Sequence, residues 1–234
     1  MIKYAYLIVF LAPFTLWSKQ LKVGIIDIAP FAFKGLPQRG IHIDYVKEVF
    51  RLAKVPVILS KLPYPRVVNG VSFGKLDFAI MFKRPTLPNS IQVGKSFGFK
   101  NLIVPRKGLK VVELENLRGL KVGVIRNAKY GKELDSVNYL NKVFLDSYEQ
   151  SFKMINLKRL EAFVVSEPAL HFLKLQPEFK SISHGKPFVL NTRYNYFYAN
   201  KEVPHSIIEK IQEANEKLLK DKYIDRLVLK YLKK

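Results

Sequence analysis

Two segments with the same opening begin the two halves of the chain: LKVGIIDIAPFAFKG at 21–35 and LKVGVIRNAKYGKEL at 120–134. In each, a short β-branched run carrying a glycine leads into a turn and then an amphipathic stretch. That is the pattern of the first strand-helix unit of a parallel sheet. A unit of this kind, met twice, implies two similar lobes. When two open α/β sheets face each other, their strand ends line a shared cleft, the usual seat of a small ligand.

The segments between fill in the two lobes. GIHIDYVKEVFRLAKV at 40–55 places Ile43, Val46, Val49, Phe50 and Ala53 on one helical face, with Asp44 near the start, where the helix dipole favours an acid. VPVILSKL reads as a strand, and PYPRVVNGVSFGKLD as a helix with prolines confined to its first turn and Gly74 at its end. FAIMF at 78–82 is the third strand, and a strand within IQVGKSFGFKNLIVPRKG crosses toward the second lobe. There the order repeats: a helix over 131–141, the strand VFL at 143–145, a helix in SYEQSFKMINLKRL, the strand EAFVVS and a helix over 168–175. FVLNTRYNYFYAN is the return crossing, and the tail from 203 is one or two amphipathic helices. Two crossings make a hinge, near 101–106 and 192–196. The expected division is lobe 1 over 19–102 with 192–234, and lobe 2 over 103–191.

Residues 1–18, MIKYAYLIVFLAPFTLWS, carry Lys3 and an apolar run too short to span a bilayer comfortably, which reads as a secretory signal cleaved after Ser18. An uncleaved anchor is the alternative. The chain contains no cysteine, so it has neither disulfides nor a lipid-modified thiol. The expected location is a bacterial periplasm. Lys and Arg number 40 against 19 Asp and Glu, a net charge of +21 that favours anionic partners. The basic residues are interspersed with acids, with no arginine-rich arm, zinc-finger spacing or stacking motif, and a nucleic-acid partner is not expected. His42, His171, His184 and His205 lack the spacing of a metal site, and no nucleophile elbow is present. No metal or cofactor is expected.

The ordered set LKVGIIDIAPFAF, GIHIDYVKEVF, VVNGVSFGKLDFAI, ENLRGLKVGVI and YEQSFKMINLKRLEAFVVSEPAL resembles the type II periplasmic solute-binding proteins, family three, the receptors of polar amino acid ABC importers. The resemblance covers essentially the whole chain beyond the signal. It implies a two-lobe α/β fold, each lobe an open sheet flanked by helices and joined by two hinge crossings. It also implies a monomeric, non-enzymatic receptor that takes a small polar ligand, amino-acid-like or anionic, to an inner-membrane ABC permease. A sensory subunit of the same fold is one alternative. A dehydratase-like enzyme using Glu167 as general acid is another.

The family's ligand positions carry over singly. An aromatic residue of the first loop covers the ligand, and here Phe31 is the choice over Pro30 and Phe33; an ordinary core position is its other reading. The arginine that grips the α-carboxylate falls, counting from Asp77, on Asn89. The Gly-Thr pair of the second lobe is replaced by Asn127 and Ala128. With both carboxylate anchors changed, charge-assisted bidentate binding needs another cation. Arg66 in PYPRVVNG is preferred, with Arg84 and Arg126 as alternatives, and a solvated surface charge is the other reading of each. Glu167 in VVSEP matches the acid that meets a ligand ammonium, or else is an acid favoured by a helix start.

Overall fold

The computed structural model describes residues 20–233, so the export signal expected at 1–18 lies outside the described residues. The first half runs β1 (Leu21–Ile26), α1 (Ile41–Leu52), β2 (Val57–Leu62), α2 (Tyr64–Ser72) and β3 (Phe78–Phe82). A long strand β4 (Ser90–Pro105) leads to the second half, with β5 (Lys121–Ile125), α3 (Lys132–Asp135), β6 (Asn141–Leu145), α4 (Tyr148–Asn156), β7 (Ala162–Ser166) and α5 (Glu167–Leu175). The chain returns along β8 (Phe188–Asn200) and ends in α6 (His205–Lys220) and α7 (Tyr223–Leu232).

The strands form one curled sheet in the order β2-β1-β3-β8-β4-β7-β5-β6. β1 lies parallel between β2 and β3, and β5 parallel between β6 and β7, while β4 and β8 run antiparallel to each other from Ser90↔Asn200 to Ile103↔Phe188. The molecule is therefore a two-lobe α/β protein whose halves share a central pair of strands. Every residue of β3 and β7 is buried, as expected for strands flanked on both sides of the sheet.

The repeated LKVG segments do the same work twice. The amide of Lys22 donates to the Asp77 carboxylate at 2.7 Å, and that of Lys121 donates to the Glu161 carboxylate at 2.9 Å. Gly24 lies against the Leu76 side chain, and Gly123 against Leu160 and Leu145, positions where a Cβ would collide. In each half the glycine lets the strand lie close beneath the leucine that precedes the third strand.

The expected helix over 131–141 is a single turn. Gly131 has φ 111°, the Asp135 carboxylate accepts from the amides of Tyr130 and Gly131, and Ser136 ends the turn. Lys142 Nζ then ties the carbonyls of Asp135 and Val137 to β6. Among the apolar side chains of this segment only Leu134 and Leu140 are buried, too few to hold a longer amphipathic helix on the core.

The loop after β1 is fixed by the start of α1. The amides of Ile41 and His42 donate to the carbonyls of Pro30 and Phe31 at 3.0 Å each, and Tyr231 of α7 accepts from the Gly40 amide at 3.1 Å while donating to Asp44 at 2.7 Å. Gly40 has φ 143°, and a Cβ there would overlap the Phe31 carbonyl. The Gly40→Ala protein is therefore expected to lose roughly 1–3 kcal/mol of stability, the range for a residue forced into a glycine conformation. Urea denaturation of the two proteins measures the difference.

Candidate functional site

The ends of β1, β3 and β5 and the start of α4 meet at the centre of the molecule. A cavity of about 30 Å³ lies there, lined from one half by Ile26, Ile28, Phe31, His42, Tyr64 and Phe82, from the other by Ile125, Ala128 and Tyr148, and from β8 by Asn195. That volume holds a water or two. The two halves are thus apposed around it. Through Ile28 it adjoins a groove of about 750 Å³, along which Asp27 and Lys34 face Glu149, Gln150 and Lys153 across the two halves.

The lining is aromatic, and the polar atoms within it are short of partners. Phe31 stacks at 4.6 Å on His42 and at 5.8 Å on Phe99, and His42 also meets Phe97 at 5.4 Å. Neither His42 ring nitrogen has a hydrogen-bond partner, and neither does the Tyr64 hydroxyl, although both side chains are buried. The Phe82 backbone approaches the Tyr64 hydroxyl without reaching hydrogen-bond geometry. Burial holds the His42 imidazole neutral, with its pKa lowered to about 3, and pushes the Tyr148 phenol up to about 12. Burial likewise raises Tyr64, against the charge of Arg84 beside it.

The Arg84 charge acts on the lining Tyr64, and Arg84 and Arg193 each lie two residues along the chain from a residue that lines this cavity. Phe82 on β3 pairs with Asn195 on β8, and both line it. Arg84 lies two residues beyond Phe82 and Arg193 two residues before Asn195, which in an extended chain puts each on the same side as its neighbour. Arg84 reaches across to the second half, donating to the Asn127 carbonyl at 2.8 Å, and Arg193 donates to the Lys83 carbonyl at 2.7 Å. The Nε atom of each is buried without a partner. Among the described residues no carboxylate lies within ion-pair distance of either guanidinium. The Arg84 amide donates to the Tyr198 hydroxyl at 2.9 Å, and both arginines favour the Tyr198 phenolate against the burial that raises its pKa.

Of the residues singled out from the sequence, Phe31 and Ala128 line the cavity, and Asn127 is the cross-cleft acceptor for Arg84. Arg66 is exposed and lines a separate groove beside Ile58 and Phe73. Asn89 sits at a turn with φ 51°, its amide donating to the Ser72 carbonyl at 3.3 Å and its carbonyl accepting from Lys201 at 3.0 Å. Glu167 is the first residue of α5, 55% exposed and 4.0 Å from Lys100, and it lines neither the cavity nor the adjoining groove. Arg126 pairs with Asp146 at 3.1 Å on the surface. Sequence reasoning missed His42, Tyr64, Tyr148, Arg193 and Asn195, which the fold brings to the cleft from four separate elements. Their signal lay in the i, i+2 spacing of Phe82 with Arg84 and of Arg193 with Asn195, legible only once the β3–β8 register is known.

No protein-family model matches the chain, and no curated protein is similar to it in sequence. Its fold is shared with solved structures. The GluR0 ligand-binding core in complex with L-glutamate superimposes with a TM-score of 0.76 at 19% identity, over 91% of this chain and 98% of that one. An ancestral arginine-binding protein bound to arginine gives 0.74 at 22% identity, over 91% and 97%. The arginine-, lysine-, histidine-binding protein ArtJ from Geobacillus stearothermophilus gives 0.72 at 17% identity, over 92% and 96%. The fold is that of the two-lobe type II periplasmic binding proteins. Among the described residues no helix is long and apolar enough to cross a membrane.

The neutral, buried His42 sets a pH dependence of stability. Its pKa is lower in the folded chain than in the unfolded one, so only the unfolded chain takes up its proton between about pH 6.5 and pH 3. The histidine's contribution is complete above that window and is lost as the pH falls through it. Between about pH 7.5 and 4.5, a His42→Phe protein is expected to lose about 2–3 kcal/mol less stability than the unsubstituted chain. Urea denaturation at the two pH values checks the difference.

Proposed function

We propose that this chain is a periplasmic solute-binding receptor, which captures a small polar ligand, amino-acid-like or anionic, in the interlobe cleft and presents the closed form to an inner-membrane ABC importer. The observation that carries this reading is the central cavity, to which both halves contribute walls while only β4 and β8 run continuously between them. The lobes are taken as 19–102 with 192–234 and 103–191, and the hinge as the antiparallel β4–β8 pair. The structural neighbours bear names of amino-acid-binding proteins, which supports a binding role rather than a catalytic one.

In this reading Phe31 covers the ligand with its ring, and Asn127 and Ala128 form the wall of the second lobe. Arg84 supplies the cation that Asn89 cannot, because an amide cannot neutralise a carboxylate. Arg66 and Glu167, exposed and lining neither the cavity nor the adjoining groove, are not assigned a grip on the ligand. Removing a gripping cation changes dissociation.

Three measurements test the reading. A thermal-shift screen of the chain from residue 19 onward, against amino acids, amines, organic acids and sugars, is expected to yield a stabilising compound, because a ligand bound only by the folded chain raises its stability. Solution scattering with that compound at saturation is expected to show a smaller particle than without it, as the lobes close. A profile that does not change removes the hinge. Arg84→Gln is expected to weaken an anionic ligand by about 1.5–3 kcal/mol, the range for a hydrogen bond to a charged group. Calorimetry on the two proteins measures it, and equal affinities would place Arg84 outside the site.

A further inference from the structure

The cleft carries two kinds of unmet bonding capacity side by side, and it lacks a third. Deep in the cavity, His42 and the Tyr64 hydroxyl are buried with no partners, one a neutral donor and acceptor ring and the other a hydroxyl. Beyond the last β3–β8 pair, Phe82↔Asn195, Arg84 follows the end of β3 and Arg193 lies two residues before Asn195 on β8, each with a buried, unpartnered Nε and with no carboxylate in reach among the described residues. Tyr64 belongs to both groups, since it lines the cavity and feels the Arg84 charge. What is lacking is an acid. No Asp or Glu lines the cavity, Glu167 faces Lys100 at the surface, and the nearest acids, Asp27 and Glu149, open onto the outer groove.

We infer that the ligand is a small carboxylic acid bearing an uncharged, hydrogen-bonding ring and no ammonium group. Its carboxylate is held by Arg84 and Arg193, and its ring lies among Phe31, Phe82, His42 and Tyr64. This rests on the reading of the cleft as the ligand site. A planar guanidinium pair suits a carboxylate, and each Nε–H gains the acceptor it lacks. A ring with a donor or acceptor at its edge gives His42 and Tyr64 the bonds that buried polar atoms require. An α-ammonium brought into the same space would leave water and meet two arginines instead of a carboxylate, so α-amino acids are excluded by repulsion as well as by a missing partner. Entry of a ring requires the lobes to part, because the closed space holds only about 30 Å³.

The test uses pairs that differ only in the ammonium: 3-(4-hydroxyphenyl)propanoate against L-tyrosine, and 3-(imidazol-4-yl)propanoate against L-histidine, measured by calorimetry. At least one deaminated acid is expected to bind, and to bind at least about tenfold more tightly than its amino acid. Arg84→Gln and Arg193→Gln are each expected to weaken that binding about tenfold or more. Tyr64→Phe supplies a signature that a merely structural hydroxyl does not give. The ligand-free protein should melt at a higher temperature, since an unsatisfied buried hydroxyl is gone, while affinity for the deaminated acid falls severalfold. An amino acid that binds as tightly as its deaminated partner would overturn the inference and leave the cleft reading standing. So would binding of a deaminated acid that is indifferent to Arg84→Gln and Tyr64→Phe. A ligand of another class found in the broad thermal-shift screen, with no response to either deaminated acid, would likewise overturn the inference alone. No response to any compound in either experiment would overturn both readings.

Discussion

The antiparallel pairing of β4 with β8 is the contact on which the rest of the molecule depends. It runs from Ser90↔Asn200 to Ile103↔Phe188, and it joins a parallel three-strand group on one side to a parallel three-strand group on the other. A parallel strand needs a crossover helix to reach its neighbour, so each half is closed upon itself by its own helices. The β4–β8 ribbon passes between them uninterrupted by any helix. It is also the softest place in the sheet, with register shifts between Gln92 and Gly94, between Lys95 and Gly98, and between Asn101 and Leu102. Gly98 lies directly under the Tyr194 ring, where a Cβ would not fit. Irregular pairing increases twist and allows bending. One ribbon thus joins the halves, and its pairing is irregular at three places.

From that ribbon the site follows by register. Pairing Phe82 with Asn195 puts an aromatic wall opposite an amide at the edge of the cavity, and the charges of Arg84 and Arg193, each two residues away along the chain, both reach the Tyr198 phenol. The second half contributes through the turn after β5, where Asn127 has φ 63° and turns its carbonyl toward Arg84. At the far side, α7 reaches back to the loop after β1. Tyr231 bonds Gly40 and Asp44, Phe33 lies 5.3 Å from Phe172 of the second half, and His171 of α5 meets the Leu232 carbonyl at 3.1 Å. Contacts of this kind, few and at the rim, hold the apposed geometry without sealing it.

Much of the fold was legible in the sequence because its signals are local. The LKVG repeat gave two strand openings, and Gly74 marked a helix end at a position with positive φ. The bounds of β3 and β8 coincide with the segments FAIMF and FVLNTRYNYFYAN. The helix over 131–141 was misread because charged and polar residues with good helix propensity hide how little apolar surface the segment buries, and tertiary burial decides such cases. Of the residues that line or bridge the cavity, family spacing had singled out Phe31, Asn127 and Ala128. His42 looked like one histidine among apolar helix residues, and Tyr64 like the first turn of a helix. Nothing nearby in sequence tells that both open onto the same space. Arg193 is a polar residue in an alternating strand, and its meeting with Arg84 depends on a strand pairing more than a hundred residues apart, beyond any local pattern.

The electrostatics of the cleft set a limit on what a closed complex can contain. The chain carries a large positive excess, and in a water-poor cavity that field is screened far less than at the surface. The neutral groups there stay neutral: His42 is kept from protonating, and the Tyr64 and Tyr148 phenols are kept from ionising. None of the residues that line the cavity carries a permanent charge, and Arg84 and Arg193 each lie two residues along the chain from a lining residue. Arg84 donates to the Asn127 carbonyl, a neutral acceptor that only partly compensates a charge withdrawn from water. An anion placed between the arginines would neutralise the pair from which closure is built, so charge and closure are coupled through a single side chain. Selectivity for charge would then arise from a side chain that already bonds across the cleft, with no requirement for a separate recognition loop.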